Sequence, residues 1–185
     1  MEFPELIFGN EPAYLETQRE IAEFFHHHKR QLPGIAAAGA CIRSTYESLQ
    51  HFFDDFTGPI CRKCPTPCCV NRHGFPDFED LIVFQAMGTK PPPFNCNVED
   101  TGPCQFLSPT GCILPRYGRS YRCTWYFCDP CMDRFQHEER FEFKRFETIM
   151  GQLARRRNRL LKQFEKEWFA GGLHDAGLMK EAKRY

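Results

Sequence analysis

The sequence lacks several features that would assign the protein to a class directly. It has no apolar run of about 18 residues, so no segment is expected to span a membrane. The start, Met1 to Glu5, lacks the basic and apolar regions of a signal peptide, which predicts a cytoplasmic protein. No Ser/His/Asp set, phosphate-binding loop or carboxylate pair stands at a diagnostic spacing. The sequence therefore names no reaction and leaves open whether the protein is an enzyme.

An excess of charge is also missing. The chain carries 24 basic and 24 acidic residues, so its overall charge predicts no particular partner. Its one basic cluster, Arg155–Arg159, is expected to be a solvated face opposed to the acidic first helices. Nucleic-acid binding would need more basic residues with aromatic side chains between them. The charge pattern thus argues against a nucleic-acid partner and leaves a protein or redox partner open.

The cysteines are concentrated in one part of the sequence. Ten of the eleven cysteines fall between Cys61 and Cys131. In a reducing cytoplasm, thiols clustered in this way indicate metal ligands more than disulfides. No comparable set of His, Asp and Glu accompanies them, which argues against magnesium and calcium. The composition therefore favours a soft metal bound by thiolates.

The thiols stand at ligand spacing at both ends of this region. In the stretch CRKCPTPCC, Cys61 and Cys64 form a CxxC pair, which lets two thiolates on one turn reach the same ion. The side chains of adjacent residues diverge, so Cys68 and Cys69 are expected to serve two neighbouring metals, or one multi-atom cluster plus a second role. The candidate ligands are Cys61, Cys64, Cys68, Cys69, Cys104, Cys112, Cys123, Cys128 and Cys131.

Zinc and iron–sulfur clusters both fit these candidates. Two closed zinc sites would need eight thiolates, and nine candidates are present. Iron–sulfur clusters also take four cysteines each, and their potentials depend on shielding and on N–H groups directed at sulfur. Nearby arginines and aromatic residues are available for both purposes. Because the adjacent pair Cys68-Cys69 suits a compact cluster, the sequence slightly favours an iron–sulfur centre over zinc.

The same motifs carry a family resemblance. CRKCPTPCC, GPCQFLSPTGCIL and RSYRC together resemble the YkgJ-type cysteine-cluster family of zinc- or iron-chelating domains, over about residues 58–131. Three residues separate Cys64 from Cys68 where the family has two, and Ser120 stands where the family has proline. The resemblance implies a set of metal ligands: Cys61, Cys64, Cys68, Cys69, Cys104, Cys112 and Cys123. Related chelating domains occur beside methyl-transfer activity in flagellin lysine methylases.

Periodicity predicts a mainly α fold in a single domain, residues 1–185. A helical hairpin (11–57) is expected to turn at Pro33-Gly34 and to stop at Gly58-Pro59, and a long helix is expected over 133–170. Between them lies a loop-rich, metal-stapled cysteine region (58–132), with one helix near Phe78–Met87. Residues 171–185 form a tail.

Three features outside the ligand set complete the predictions. His26, His27 and His28 are expected at the surface, because consecutive helical residues point in different directions. Cys41 is expected to be a small buried residue, and Cys96 is left open as a ligand. The favoured function is a metal centre with a structural or electron-transfer role. The alternatives are a metal-dependent enzyme, with methyl transfer as one candidate reaction, and a zinc-stabilised adaptor or nucleic-acid-binding module.

Overall fold

The computed structural model describes residues 3–138 and 140–170, and the predicted tail lies outside these ranges. The protein is mainly α-helical with a long C-terminal helix, which confirms the predicted fold class. Its helices are α1 (Glu11–His27), α2 (Ile35–Phe52), α3 (Gly58–Cys61), α4 (Asn71–Gly74), α5 (Phe78–Ala86), α6 (Arg122–Trp125), α7 (Asp129–Glu138) and α8 (Arg140–Ala170). Two short strands, β1 (Leu107–Ser108) and β2 (Gly111–Cys112), pair antiparallel.

The first two helices are joined by the predicted turn. The Asn10 side chain accepts a hydrogen bond from the Ala13 N–H and so begins α1. Gly34 has a φ of 77°, a conformation that glycine adopts without steric cost, and the chain reverses there into α2. However, α1 makes its main contacts with α5, while α2 packs against α8 and α5. The two helices therefore share a turn but are stabilised largely by other elements.

The second helix does not stop at Gly58-Pro59, and this boundary prediction is wrong. A π-helical turn (Phe53–Thr57) follows α2 directly, and α3 then runs to Cys61. Proline is tolerated because Pro59 lies in the first turn of α3, where its missing N–H is not needed. Cys61 therefore stands at the end of a helical segment that is anchored in the core.

The predicted central helix is present as α5. Asp77 begins it by accepting a hydrogen bond from the Asp80 N–H at 2.7 Å, and Gly88 follows its end with a φ of 64°. Gly39 of α2 faces the end of this helix, where a Cβ atom would lie 2.0 Å from the Ala86 carbonyl oxygen. The close packing of α2 against α5 thus requires glycine at this position.

The predicted long helix corresponds to α7 and α8, which lie on either side of residue 139. Helix α7 begins at Asp129, four residues before the predicted start, and so carries Cys131. In α8 the buried side chains follow helical spacing: Phe146, Leu153, Arg157, Leu160, Leu161 and Phe164. Phenylalanines from several elements meet beneath the cysteine region, where Phe135 lies 4.2 Å from Phe56 and 5.2 Å from Phe146 between ring centroids. Among the described helices, none is long and apolar enough to cross a membrane.

Candidate metal centre

Four of the candidate ligands meet where α3 and α7 approach each other. The sulfur atoms of Cys61 and Cys131 lie 4.0 Å apart. Each belongs to a tight turn, because the Cys64 N–H donates to the Cys61 carbonyl and the Cys131 N–H donates to the Cys128 carbonyl. We call Cys61, Cys64, Cys128 and Cys131 the first thiol set. The two CxxC motifs, about 70 residues apart in sequence, are thus brought together by the helices that carry them.

The other five candidates line a cavity of about 100 Å³. We call Cys69, Cys104, Cys112 and Cys123 the second thiol set. Cys68 lines the same cavity, together with His73, Arg119, Arg122 and Tyr126. All nine predicted ligands therefore lie in one of two places, and all are free thiols.

Backbone pairing gathers the second thiol set from distant parts of the chain. The Cys104 N–H donates to the Cys69 carbonyl at 2.9 Å, which joins the two cysteines directly. The strand pair β1–β2 places Cys112 opposite Leu107, and the Leu107 N–H donates to the Cys104 carbonyl. Gly74 makes room for the sulfur, since a Cβ atom there would lie 3.0 Å from Sγ of Cys104.

Cys123 is held from both sides. Ser120 Oγ lies 3.3 Å from Sγ of Cys123 and donates to the His73 carbonyl at 3.0 Å. Arg116, which is buried, donates from Nη1 to the Cys123 carbonyl at 2.9 Å. Serine therefore has a specific use at position 120, where the resembling family has proline.

The arginines near the thiols bind carbonyl oxygens. Besides Arg116, Arg119 donates to the carbonyl groups of Leu114 and Cys112. The guanidinium of Arg116 also stacks 3.3 Å from the ring centroid of Phe53, and burial lowers its pKa to about 9. These hydrogen bonds fix the loops that carry the second thiol set and place two arginines beside it.

Hydrogen bonding shifts two thiol pKa values of the first set in opposite directions, and burial raises thiol pKa values in the second set. In the first, the hydrogen bond with Cys131 lowers the pKa of Cys61 to about 6 and raises that of Cys131. In the second, burial raises the pKa of Cys104 and of Cys123. A thiolate is therefore already available in the first set, whereas Cys104 and Cys123 in the second are held as neutral thiols.

The donor chemistry of both sets fits a thiolate-bound metal. Two thiolates on one tetrahedral zinc lie about 3.8 Å apart, given Zn–S bonds of about 2.3 Å, and the Cys61–Cys131 separation of 4.0 Å is close to this value. Over residues 3–138 and 140–170, no group of three or more His, Cys, Asp or Glu side chains is arranged to hold a metal ion. In the described part of the chain, the thiols of each set therefore lie near one another without forming a preassembled coordination site.

The sequence prediction missed a buried ion pair that supports the second thiol set. Arg157 of α8 lies 3.1 Å from the Asp80 carboxylate, and both Asp80 oxygens accept from the Tyr121 N–H, two residues before Cys123. Burial raises the pKa of Asp80 to about 7, and the Arg157 guanidinium opposes this shift. The prediction of a solvated basic face is wrong for Arg157, which is 3 % exposed. Arg157 lies four residues after Leu153 and three before Leu160, which places it on the buried face of the helix, and this spacing could have predicted its burial.

Arg156 and His73 also differ from expectation. Arg156 donates to the Cys41 carbonyl and to Thr45 Oγ1, so it ties α8 to α2. His73 lines the cavity beside the thiols and contacts the Cys68 carbonyl through Nδ1 at 3.2 Å. No histidine was predicted near the thiols, because His73 belongs to no recognised ligand spacing.

The remaining cysteines lie apart from both thiol sets. Cys41 is exposed, so its predicted burial is wrong; the buried positions of α2 include Gly39 and Ile42, which flank it. Cys96 is buried and does not line the cavity. The predicted exposure of His26 and His27 is confirmed, and His28 is half-buried against Phe24.

The aromatic residues near the thiols divide between core and surface. Phe127 lies in the core, 5.2 Å from Phe53 and 5.1 Å from Phe146 between ring centroids. Trp125 and Tyr126 are about half exposed, with Tyr126 on the cavity wall. Of these three residues, only Tyr126 lines the cavity of the second thiol set.

Comparison with known proteins finds no matching family model, no matching curated protein and no matching solved structure. The resemblance to the YkgJ-type family thus stays a prediction, carried by the motifs themselves.

Proposed function

We propose that the protein binds metal at two thiolate centres, one in each thiol set, and that the metal is held as iron–sulfur clusters. The observation that supports this proposal is that the candidate ligands gather in two places: five thiols line one cavity, and the two CxxC motifs meet through Cys61 and Cys131. Four thiolates are the usual complement of either a closed zinc site or an iron–sulfur cluster. A chance scattering of buried small residues would not pair the two distant CxxC motifs.

The cavity favours a cluster over a single ion. A lone zinc ion with bonds of about 2.3 Å leaves no free volume between its ligands. The second thiol set instead lines a space of about 100 Å³, several times the share of one water molecule in the liquid, which is about 30 Å³. A bound iron–sulfur cluster would supply one-electron transfer, and the half-exposed Trp125 and Tyr126 leave its site open to a partner on one side.

Two alternative functions remain to be weighed, a nucleic-acid-binding module and a metal-dependent enzyme. Arg156 and Arg157 bind groups within the protein, so the basic cluster keeps fewer side chains for nucleic acid than its sequence implies. The cavity also leaves room for the enzyme alternative, because His73, Arg122 and Tyr126 face the same space as five thiols. A small molecule that shifts the absorption of the loaded protein would support that alternative.

Metal analysis of anaerobically purified protein, with an absorption spectrum, tests the proposal. We expect iron and sulfide, a broad absorption near 400 nm, and bleaching by dithionite. Colourless protein with two zinc ions would replace the cluster by a structural zinc role, and metal-free protein would reject the proposal.

Single variants then test the assignment of ligands. Cys64→Ser and Cys104→Ser should each lose about half of the metal, since they belong to different sets. Cys41→Ser is the matched control and should retain all of it. Equal loss from both centres in either variant would show that the two sets form one site.

A further inference from the structure

Cys61 and Cys131 hold their sulfur atoms in contact, although 70 residues of sequence separate them. Their Sγ atoms lie 4.0 Å apart, and both are free thiols. A disulfide bond is about 2.05 Å long, so the two atoms would have to approach by about 2 Å to form one. The contact between α3 and α7 therefore places two thiols where oxidation can join them.

Aromatic packing holds this pair of thiols together without a metal. Phe56 precedes Cys61 by five residues, just before α3. Phe135 follows Cys131 by four residues in α7, and its ring stacks on that of Phe56 with 4.2 Å between the centroids. Because both rings are buried, this packing favours the approach of α3 to α7 whether or not a metal is bound.

The two thiols differ in their access to solvent. Cys131 is 2 % exposed, whereas Cys61 is only partly buried. An oxidant from solution therefore reaches Cys61 first, and Cys131 is left as the thiol that attacks from inside the protein. An accessible cysteine beside a second, resolving cysteine is the arrangement that redox-sensing proteins often use.

We propose that Cys61 and Cys131 form a reversible disulfide, which makes the contact between α3 and α7 a redox-sensitive modification site. The oxidant is a small disulfide, for which glutathione disulfide is the probe. The Cys61 sulfur attacks one sulfur of this disulfide, the S–S bond of the oxidant breaks, and the released thiol carries away the proton of Cys61. The Cys131 sulfur then attacks Sγ of Cys61, and the second thiol leaves with the proton of Cys131. Two protein thiols are thereby oxidised, and one disulfide is reduced to two thiols.

This modification goes beyond the proposed function, because it takes place in the metal-free chain. The disulfide joins α3 to α7 covalently and removes two thiols from the first set, while the second set keeps all of its thiols. Disulfides in a reducing compartment are usually transient and redox-sensing, which fits a bond that small thiols reduce again. Oxidation therefore converts the first set between a thiol form and a cross-linked form.

Peptide mapping of the oxidised full-length chain tests the inference. The chain is freed of metal with EDTA and dithiothreitol under argon, desalted, equilibrated with glutathione disulfide, blocked with N-ethylmaleimide and digested with trypsin. Cleavage gives peptide 44–62, in which Cys61 is the only cysteine, and peptide 123–134, which contains Cys131. We expect these two peptides to be joined in most of the oxidised sample and to separate after treatment with dithiothreitol. Peptide 44–62 that stays free, carries only glutathione or is joined to a different peptide would overturn the proposal.

Two single variants identify the partner of Cys61, because peptide 123–134 also contains Cys123 and Cys128. Cys131→Ser should abolish the cross-link and leave Cys61 bound to one glutathione, since the second attack is lost. Cys128→Ser, which changes the other cysteine of the same CxxC motif, should retain the cross-link. A cross-link that persists in Cys131→Ser or disappears in Cys128→Ser would reject the assignment. A chain that binds no metal gives the same readout, so failure of the proposed function is distinguishable from failure of this inference.

Discussion

The helical frame and the cysteine region bury different kinds of residue. In the frame, formed by α1, α2, α5 and α8, most of the buried side chains are aromatic or aliphatic, as with Tyr46, Leu153 and Phe164. In the loops around the thiols, the buried residues include the polar Asn71, Arg116, Ser120 and Thr124. Apolar burial stabilises by roughly 25 cal/mol per Å², whereas a buried hydrogen bond adds only about 1 kcal/mol net. We therefore expect the frame to keep its structure without metal, and the loops to need a further source of stability.

The largest difference between the frame and the cysteine region should appear when the metal is removed. Structural metal binding can supply about 10 kcal/mol or more, so its loss should unfold much of residues 58–77 and 95–131 while α2, α5 and α8 persist. Hydrogen exchange before and after chelation measures this directly. Equal protection of the loops in both states would show that hydrogen bonds alone hold them.

The next largest effect should come from the ion pair that joins the regions. Arg157→Met leaves the buried Asp80 carboxylate without its partner and should destabilise the protein by about 3–5 kcal/mol. Urea denaturation measures this loss. Arg155→Met, at an exposed position on the same helix, is the control and should change stability by less than about 0.5 kcal/mol. A similar result for both variants would mean that the pair contributes nothing beyond a surface contact.

Two glycine-to-alanine variants, one in each region, test how each region tolerates an added Cβ atom at a close contact. Gly39→Ala forces a Cβ atom against the Ala86 carbonyl and should destabilise the frame by about 1–3 kcal/mol, with little effect on the metal content. Gly74→Ala presses on Sγ of Cys104 and should lower the metal content of the second set with a smaller loss of thermal stability. Melting temperature and metal content together separate the two cases. Full metal occupancy in Gly74→Ala would show that the sulfur can move away.

The pH dependence of metal affinity should differ between the thiol sets. Cys104 and Cys123 have raised pKa values, so at pH 7 both must release protons before they bind, and affinity rises as the pH rises. In the first set Cys131, whose pKa is also raised, must release a proton too, but Cys61, with a pKa of about 6, already carries its charge at pH 7 and releases none, so the affinity of the first set should rise less steeply. Each proton released makes the affinity change about tenfold per pH unit. Competition with a chelator between pH 6.5 and pH 8, in Cys64→Ser and Cys104→Ser, measures one set at a time. Equal slopes would contradict the assignment.

Prediction from sequence was most accurate where one local rule acts alone. The capping residue Asp77 and the turn residue Gly88 marked both ends of α5, because these residues satisfy or redirect the backbone within one turn. Local rules were less accurate at Pro59. A proline usually ends a helix, yet the π-helical turn before α3 places it where no N–H is required. Burial of Cys41 was also wrong, because the orientation of α2 depends on its contacts with α8 and α5.

The sequence by itself predicted a set of thiols suited to a soft metal and most of the helices. Those properties depend on side-chain chemistry and on spacing along the chain. Tertiary structure decided how the thiols divide, since the first set requires α3 to meet α7 and the second requires Cys104 to pair with Cys69. It also decided that Arg157 is buried, because Asp80 on another helix offsets the cost of removing a charge from water. Contacts between distant segments leave no mark in local spacing, and for that reason only the folded chain reveals them.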